Sequence, residues 1–198
     1  GLADGRFVVA WDYLNEYGGD IRDVHAQVFN ADGSKSGTEF VVNSTASGDQ
    51  LTPSTSALSD GRFVVAWADF SATGGDTNSG AIRAQVFNSD GSKSGAEFLV
   101  NTTTSDSQIA PSITALPDGR FVVAWEEFSL ETFESELRAQ VFNADASKSG
   151  AEFLVNTTTT NDQTRPSITA LADGRFVVVW EDGSATGNDA SGSAVRAQ

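Results

Sequence analysis

The chain has 198 residues and a net charge of −15, with only 12 Lys and Arg. This acidity argues against binding of nucleic acid, which requires clustered basic residues. It contains no Cys, which excludes a disulfide framework and thiolate metal sites. No apolar run is long enough for a membrane helix, so membrane insertion is not expected.

An internal repeat dominates the sequence. The string DGRFVV-x-W occurs four times, ending at Trp11, Trp67, Trp125 and Trp180. The block AQVFN follows three of these strings, and a block EF-[VL]-V-N follows each AQVFN. The chain therefore holds about three and a half copies of one unit in a single repeat array over 1–198. The units are approximately 1–50, 51–108, 109–163 and 164–198, with the first and last incomplete.

Each unit predicts four short strands, shown here in chain order for the third copy. The first strand is 111–116 (PSITAL), and an Asp-Gly turn joins it to the second, 120–125 (RFVVAW). The third, 137–143 (LRAQVFN), alternates as a half-buried strand does, and 151–156 (AEFLVN) is the fourth. No window has a helical period. Four antiparallel strands in a repeat of this length predict an all-β fold arranged as a β-propeller or propeller-like array.

The incomplete first and last units predict an array that does not close as written. The interpretation is a segment of a longer array, or copies of the chain that complete one another. Self-association through the incomplete end repeats is the expectation that follows.

The combined pattern ADGRFVVAW…RAQVFN-ADGSKSGAEFLVNTTT resembles the tandem β-propeller-like repeats of large secreted bacterial proteins of the RTX and adhesin type. The resemblance covers essentially the whole chain. It implies secretion or a cell-surface location, an adhesive or structural role, and Ca²⁺ dependence. The glycine-rich nonapeptide GGxGxDxUx of RTX proteins is absent, which puts the calcium role in doubt.

All variation in length falls in the connection between the second and third strands of the unit. A fixed scaffold that carries variable loops on one face is typical of binding surfaces. Candidate ligand contacts in or beside these loops are Tyr13, Tyr17, Arg22, Phe70, Phe128 and Phe133, whose aromatic members suit sugars or protein surfaces. Candidate Ca²⁺ ligands are Asp20, Asp23, Asp76, Asp182 and Asp189.

Carboxylates follow the repeated tryptophans, and glycoside hydrolysis requires two carboxylates at a defined separation. They are Asp12, Glu126, Glu127, Glu181 and Asp182. The second copy has Ala68 and Asp69 instead, and nothing in the sequence distinguishes one pair from another. An active site needs polar residues that are not repeated, and Arg22 and Arg165 are the clearly unrepeated basic ones. No catalytic residue is predicted on this basis.

The sequence thus predicts a non-enzymatic, extracellular adhesion or structural repeat module of a large secreted or cell-surface bacterial protein. It would bind a protein or a glycan through the variable loops. One alternative is a hydrolase of the propeller class with glycosidase-like chemistry. The other is a spacer stabilised by Ca²⁺ in its acidic loops.

Overall fold

The computed structural model describes residues 1–15, 21–186 and 192–198. Over these ranges the chain forms fourteen strands in four antiparallel sheets and no helix, so no helix there could cross a membrane. Sheet 1 consists of β1 (Phe7–Asn15), β2 (Ile21–Phe29) and β3 (Lys35–Val41). Sheet 2 consists of β4 (Gln50–Ala57), β5 (Phe63–Asp69), β6 (Ala81–Phe87) and β7 (Phe98–Leu99). Sheet 3 consists of β8 (Ser107–Ala115), β9 (Phe121–Phe128), β10 (Ser135–Phe142) and β11 (Phe153–Leu154), and sheet 4 of β12 (Gln163–Ala170), β13 (Phe176–Asp182) and β14 (Ala194–Ala197).

The first strands of sheets 2, 3 and 4 form the inside of the array. Strand β8 contacts both β4 and β12, and β1 contacts β4, whereas the short last strands lie at the outer edges of their sheets. Each sheet follows chain order because Asp-Gly turns and longer loops join neighbouring antiparallel strands. The all-β, propeller-like prediction is confirmed. The described sheets form an open arc and do not close into a ring.

Three apolar clusters lie between neighbouring sheets and form the core. Each cluster packs small aliphatic side chains of one sheet against the Phe-Val-Trp run of the next sheet. Between sheets 1 and 2, the packed residues include Val24, Ala26, Val28, Phe63, Val65 and Trp67. Trp67 and Trp125 are fully buried and Trp180 is 5% exposed, so these three side chains belong to the core. Trp11 is only partly buried.

The third strand of the second unit, β6, is more buried than its alternating sequence predicts. All seven residues of β6 are buried, because sheet 2 is packed on both faces by its neighbours. Strand β10 alternates over Ser135–Ala139 and is then buried at Gln140 as well. Position in the stack of sheets therefore decides burial in these strands.

A β-bulge interrupts each inner strand two residues after its first glutamine. The pairing register shifts at the same place in β4, β8 and β12, and one residue of each bulge has a positive φ. These residues are Thr52, Ala110 and Arg165, with φ of 51°, 51° and 56°. A bulge changes the direction of the side chain at that position, and Arg165 is the residue affected in β12.

Replacing Thr52 with glycine is expected to raise the free energy of unfolding by about 1 kcal/mol. A β-branched residue at positive φ is strained by roughly 1–3 kcal/mol, which exceeds the entropic cost of glycine. The control is Thr164→Gly, one residue before the bulge of β12, which should destabilise by about 0.5–1 kcal/mol. Urea unfolding of both variants measures the difference. Equal losses of stability would contradict strain at Thr52.

Candidate functional site

A buried hydrogen-bond network fixes the inner strand to the second and third strands in sheets 2 and 4. In sheet 2, Gln50 accepts from Trp67 Nε1 (2.7 Å) and donates to Asp69 Oδ1 (2.8 Å), and Arg83 pairs with the same carboxylate. Sheet 4 repeats this with Gln163, Trp180, Asp182 and Arg196. These polar groups satisfy one another, so they hold the scaffold together. The signal for them was present in the sequence, since each glutamine precedes its tryptophan by 17 residues.

Sheet 3 departs from this network. Gln108 turns away, accepting from Asn101 Nδ2 (3.1 Å) and donating to the Ser105 carbonyl (2.7 Å). Trp125 Nε1 and Glu127 Oε1 consequently lack a hydrogen-bond partner although both are buried. The network differs because sheet 3 has Glu127, with a longer side chain, at the position where sheets 2 and 4 have Asp69 and Asp182.

Three glutamates with a raised pKa lie at the same end of sheet 3. Burial raises the pKa of Glu126, Glu127 and Glu136 above the ordinary glutamate value. Glu127 and Glu136 lie opposite each other on β9 and β10, and the pKa of Glu127 stays raised although Arg138 opposes the shift. In sheet 2 the positions of Glu126 and Glu136 hold Ala68 and Ala81. The repeat is therefore chemically asymmetric at sheet 3.

Glu126 contacts Arg165, and Arg165 in turn contacts Glu181, where sheet 3 packs against the inner strand of sheet 4. Glu126 is 7% exposed, and its Oε1 accepts from the backbone N–H of Arg165. The Arg165 side chain, 81% exposed, forms an ion pair of 2.7 Å between Nη1 and Glu181 Oε2. The bulge in β12 turns the Arg165 N–H toward sheet 3. We call this group the Glu126–Arg165–Glu181 site.

The electrostatics of this site differ for its two carboxyl groups. Burial is the largest cause of the raised pKa of Glu126, nearby Asp162 adds to it, and the Arg165 contacts only partly offset it. Glu181 is instead solvent-accessible and paired with a guanidinium. A carboxyl group whose pKa is raised by burial, working with a second carboxyl group, is an arrangement used in acid–base catalysis.

Two of the predicted aromatic contacts lie just after Glu126 and Glu127, where β9 ends and the loop to β10 begins. Phe128 ends β9, and its ring centroid is 6.3 Å from that of Phe133 in an edge-on arrangement. Phe133 is 71% exposed. The structure thus places the rings of these two predicted residues next to each other.

The remaining predicted ligand contacts lie on other sheets. Tyr13 is 50% exposed on β1, with its ring 5.3 Å from that of His25. Arg22 forms an ion pair of 2.6 Å with Asp12. Phe70 packs against the core between sheets 2 and 3, and Tyr17 lies outside the described residues.

The predicted calcium ligands are dispersed. Asp23 accepts from Asn43 Nδ2 (2.7 Å) in sheet 1, and Asp76 accepts from Asn101 Nδ2 (2.8 Å) in sheet 2. Asp182 belongs to the buried network of sheet 4, while Asp20 and Asp189 lie outside the described residues. Within 1–15, 21–186 and 192–198, no three His, Asp or Glu side chains are grouped to hold a metal ion. Calcium binding stays a prediction.

The fold resembles solved propeller structures. A protein of unknown function from Dyadobacter fermentans DSM 18053 matches with a TM-score of 0.67 and 14% identity over 98% of this chain and 50% of that one. A Hadza microbial sialidase matches with a TM-score of 0.67 and 10% identity, over 100% of this chain and 42% of that one. The α-L-arabinofuranosidase from Lactobacillus brevis matches with a TM-score of 0.58 and 12% identity, over 100% of this chain and 70% of that one. No protein-family model and no curated protein matches the chain.

These comparisons correct the functional prediction from sequence. The chain spans half the length of the Dyadobacter protein, and at these identities the likeness shows the fold. The matched structures with a named activity include several glycosidases, which favours the hydrolase alternative. The predictions of a non-enzymatic adhesion or structural module, and of no enzyme, are therefore wrong. The sequence interpretation treated the carboxylates after each tryptophan as equivalent, whereas Glu126 alone among them accepts a hydrogen bond from the Arg165 backbone of the next sheet and has its pKa raised by burial there.

Proposed function

We propose that this chain is the catalytic part of a propeller-type glycoside hydrolase, with the Glu126–Arg165–Glu181 site as its active site. The observation that carries the proposal is the contact of one unrepeated arginine with two glutamates, the buried Glu126 through its backbone N–H and the more exposed Glu181 through its side chain. A repeat that serves only as a scaffold has no need of such asymmetry. The glycosidase structures of the same fold support the proposal.

The proposed chemistry assigns one role to each carboxyl group. Glu126, whose pKa is raised by burial, gives its proton to the glycosidic oxygen as the bond to the anomeric carbon breaks. The Glu181 carboxylate acts on the opposite side, either attacking the anomeric carbon or accepting a proton from the attacking water. The products are two sugars with one water consumed. Arg165 is a positioning residue that holds Glu181 by its side chain and Glu126 by its backbone N–H.

The glycan is proposed to contact the aromatic pair Phe128 and Phe133. Phe128 ends β9 two residues after Glu126, Phe133 lies in the loop that follows, and the exposed ring of Phe133 offers an apolar face to a sugar. A glycan is therefore the proposed partner in place of an adhesion partner. The extracellular location implied by the repeat resemblance remains a prediction, and it fits an enzyme that acts on polysaccharides outside the cell.

The test is hydrolysis by the 198-residue chain. Nitrophenyl α-L-arabinofuranoside, nitrophenyl β-D-xyloside and a methylumbelliferyl sialoside are the activated substrates, with arabinan and xylan as polymers. The matched control is the double variant Glu126→Gln with Glu181→Gln, which preserves shape and removes both acids. We expect release of nitrophenol or reducing sugar by the native chain above the double variant. Equal release by both proteins on every substrate would refute the proposed function.

A further inference from the structure

The loop between β9 and β10 holds an exposed aromatic side chain in a strained backbone conformation. Phe133 is 71% exposed although sheet 3 packs between sheets 2 and 4. Its φ of 60° lies in the left-handed region, which bulky residues rarely adopt. The ring is little buried and the backbone strain lowers stability, so the fold gains nothing from an aromatic residue at this position.

Hydrogen bonds hold this loop in one shape. The Phe133 N–H donates to the Ser129 carbonyl (3.0 Å), and the Ser129 N–H donates to the Glu134 carbonyl (2.9 Å). The Leu130 N–H donates to Asp106 Oδ1 (3.1 Å), which ties the loop to the residue before β8. An aromatic ring on a loop that is already ordered loses little conformational freedom when a ligand binds. The loop is therefore a preformed contact surface.

The aromatic pair of this region lies on the same side of sheet 3 as the proposed active site. Phe128 and Glu126 are two residues apart on β9, so both side chains are on one face of the strand. That face is turned to sheet 4, because Glu126 accepts from the Arg165 N–H. The ring of Phe133 lies next to that of Phe128, with centroids 6.3 Å apart. We call Phe128 and Phe133 the aromatic platform.

Carboxylates flank the aromatic platform. Glu131 and Glu134 belong to its loop. Asp106 and Asp162 accept hydrogen bonds of 3.1 Å from backbone N–H groups at the two ends of that loop. Carboxylates accept hydrogen bonds from sugar hydroxyls and repel anions. These surroundings suit an uncharged sugar and oppose an acidic one.

The arginines that contact this region are already paired with carboxylates. Arg138 lies against Glu127 and Glu152. Arg165 is paired with Glu181. An acidic sugar would therefore compete with a protein carboxylate for either guanidinium, whereas a neutral sugar meets no such competition.

We propose that the Glu126–Arg165–Glu181 site takes an uncharged polysaccharide, whose next sugar stacks on the aromatic platform, and that it excludes glycans bearing carboxylates. This inference rests on the proposed function, because it names the substrate class of the same site. The ring of Phe133 packs against the C–H face of the sugar, and the flanking carboxylates accept from its hydroxyls. The strained backbone at Phe133 is retained for this contact.

The first experiment measures binding to the Glu126→Gln variant, which slows turnover and keeps the Arg165–Glu181 ion pair. Affinity electrophoresis is run with linear xylan, debranched arabinan, galactan and mannan, each also in carboxymethylated form as the matched acidic polymer. We expect binding to at least one neutral polymer and about tenfold weaker binding to its acidic form at low salt, a gap that narrows at about 1 M salt. No binding to any neutral polymer, or equal binding to both forms, would overturn the proposal.

Substitutions in the same Glu126→Gln background test the aromatic platform. Phe133→Ala and Phe133→Gly should each lower the affinity for the neutral polymer about tenfold, and Phe133→Tyr should retain it. The Tm of Phe133→Gly should exceed that of Phe133→Ala by roughly 2–4 °C, because glycine relieves the positive φ. Tyr13→Ala is the control, since Tyr13 is an aromatic residue 50% exposed on sheet 1. Unchanged affinity in Phe133→Ala, or an equal loss in Tyr13→Ala, would overturn the role of the platform.

Adding Glu181→Gln to Glu126→Gln tests the exclusion of acidic glycans. The substitution removes the carboxylate paired with Arg165, so affinity for the carboxymethylated polymer should rise several-fold at low salt. An unchanged affinity would overturn the exclusion.

All of these measurements detect binding without turnover. A chain that binds neutral polymers through Phe133 but hydrolyses none would refute the proposed function and support the assigned ligand class. Hydrolysis with no dependence on Phe133 would do the reverse.

Discussion

Replacing Trp67 with alanine is expected to lower the free energy of unfolding by about 3 to 5 kcal/mol. The side chain is fully buried between sheets 1 and 2, and no described group could move to fill its volume without disturbing both sheets. The substitution also leaves Gln50 Oε1 without its donor, because Trp67 Nε1 supplies that hydrogen bond. Urea unfolding of dilute protein, followed by circular dichroism, measures the change.

Trp11→Ala is the matched control for this prediction. Trp11 occupies the same position of the repeat on β1, but its side chain is only partly buried. Trp11→Ala should therefore lower the free energy of unfolding clearly less than Trp67→Ala does. A loss within about 0.5 kcal/mol for Trp67→Ala, or equal losses for both variants, would show that burial between sheets does not hold this fold together.

Replacing Glu126 with glutamine is expected to lower kcat/KM on polymeric glycans by about 10² to 10⁴-fold, the range for loss of a general acid. Activity on nitrophenyl glycosides should fall much less, because nitrophenolate leaves readily without a proton. The comparison of the two leaving groups therefore separates a general acid from a residue that only supports the fold. Steady-state kinetics on both substrate types measures it.

Glu136→Gln is the control for Glu126→Gln. Burial also raises the pKa of Glu136, and the residue lies on the neighbouring strand β10, but its hydrogen bond goes to Asn156 and it has no contact with Arg165. Its replacement should leave kcat/KM nearly unchanged on both substrate types. A similar loss on both types for Glu126→Gln would contradict its role as the acid.

The repeat made most of the fold predictable from sequence. Fixed spacing from AQVFN to EF-[VL]-V-N, and from there to the next DGRFVV-x-W, specifies sheets of the same order, and the Asp-Gly turns specify the hairpins between first and second strands. The bulges were missed, because Thr52, Ala110 and Arg165 are not residues that favour positive φ. Burial of β6 on both faces was missed as well, since it depends on sheets that are distant in the sequence.

The candidate site was only partly predictable. Arg165 was recognised as unrepeated, and Glu126 and Glu181 as carboxylates after tryptophans, yet nothing in the sequence joins them. Arg165 lies 39 residues from Glu126, and they meet only because sheet 4 packs on sheet 3 and the bulge in β12 exposes one backbone N–H. The acidity of Glu126 likewise arises from burial in the packed sheets. Packing thus brings together residues that differ between the repeats but lie far apart in the sequence.

The pH dependence of kcat/KM for the native chain and for Glu126→Gln tests the central claim most directly. The proton on Glu126 is required, and its pKa lies above the ordinary glutamate value. Activity of the native chain should therefore hold at pH values below that pKa and decline as the pH rises through it. In Glu126→Gln this alkaline decline should vanish. An alkaline limb that is unchanged in the variant would contradict the assignment of Glu126 as the catalytic acid.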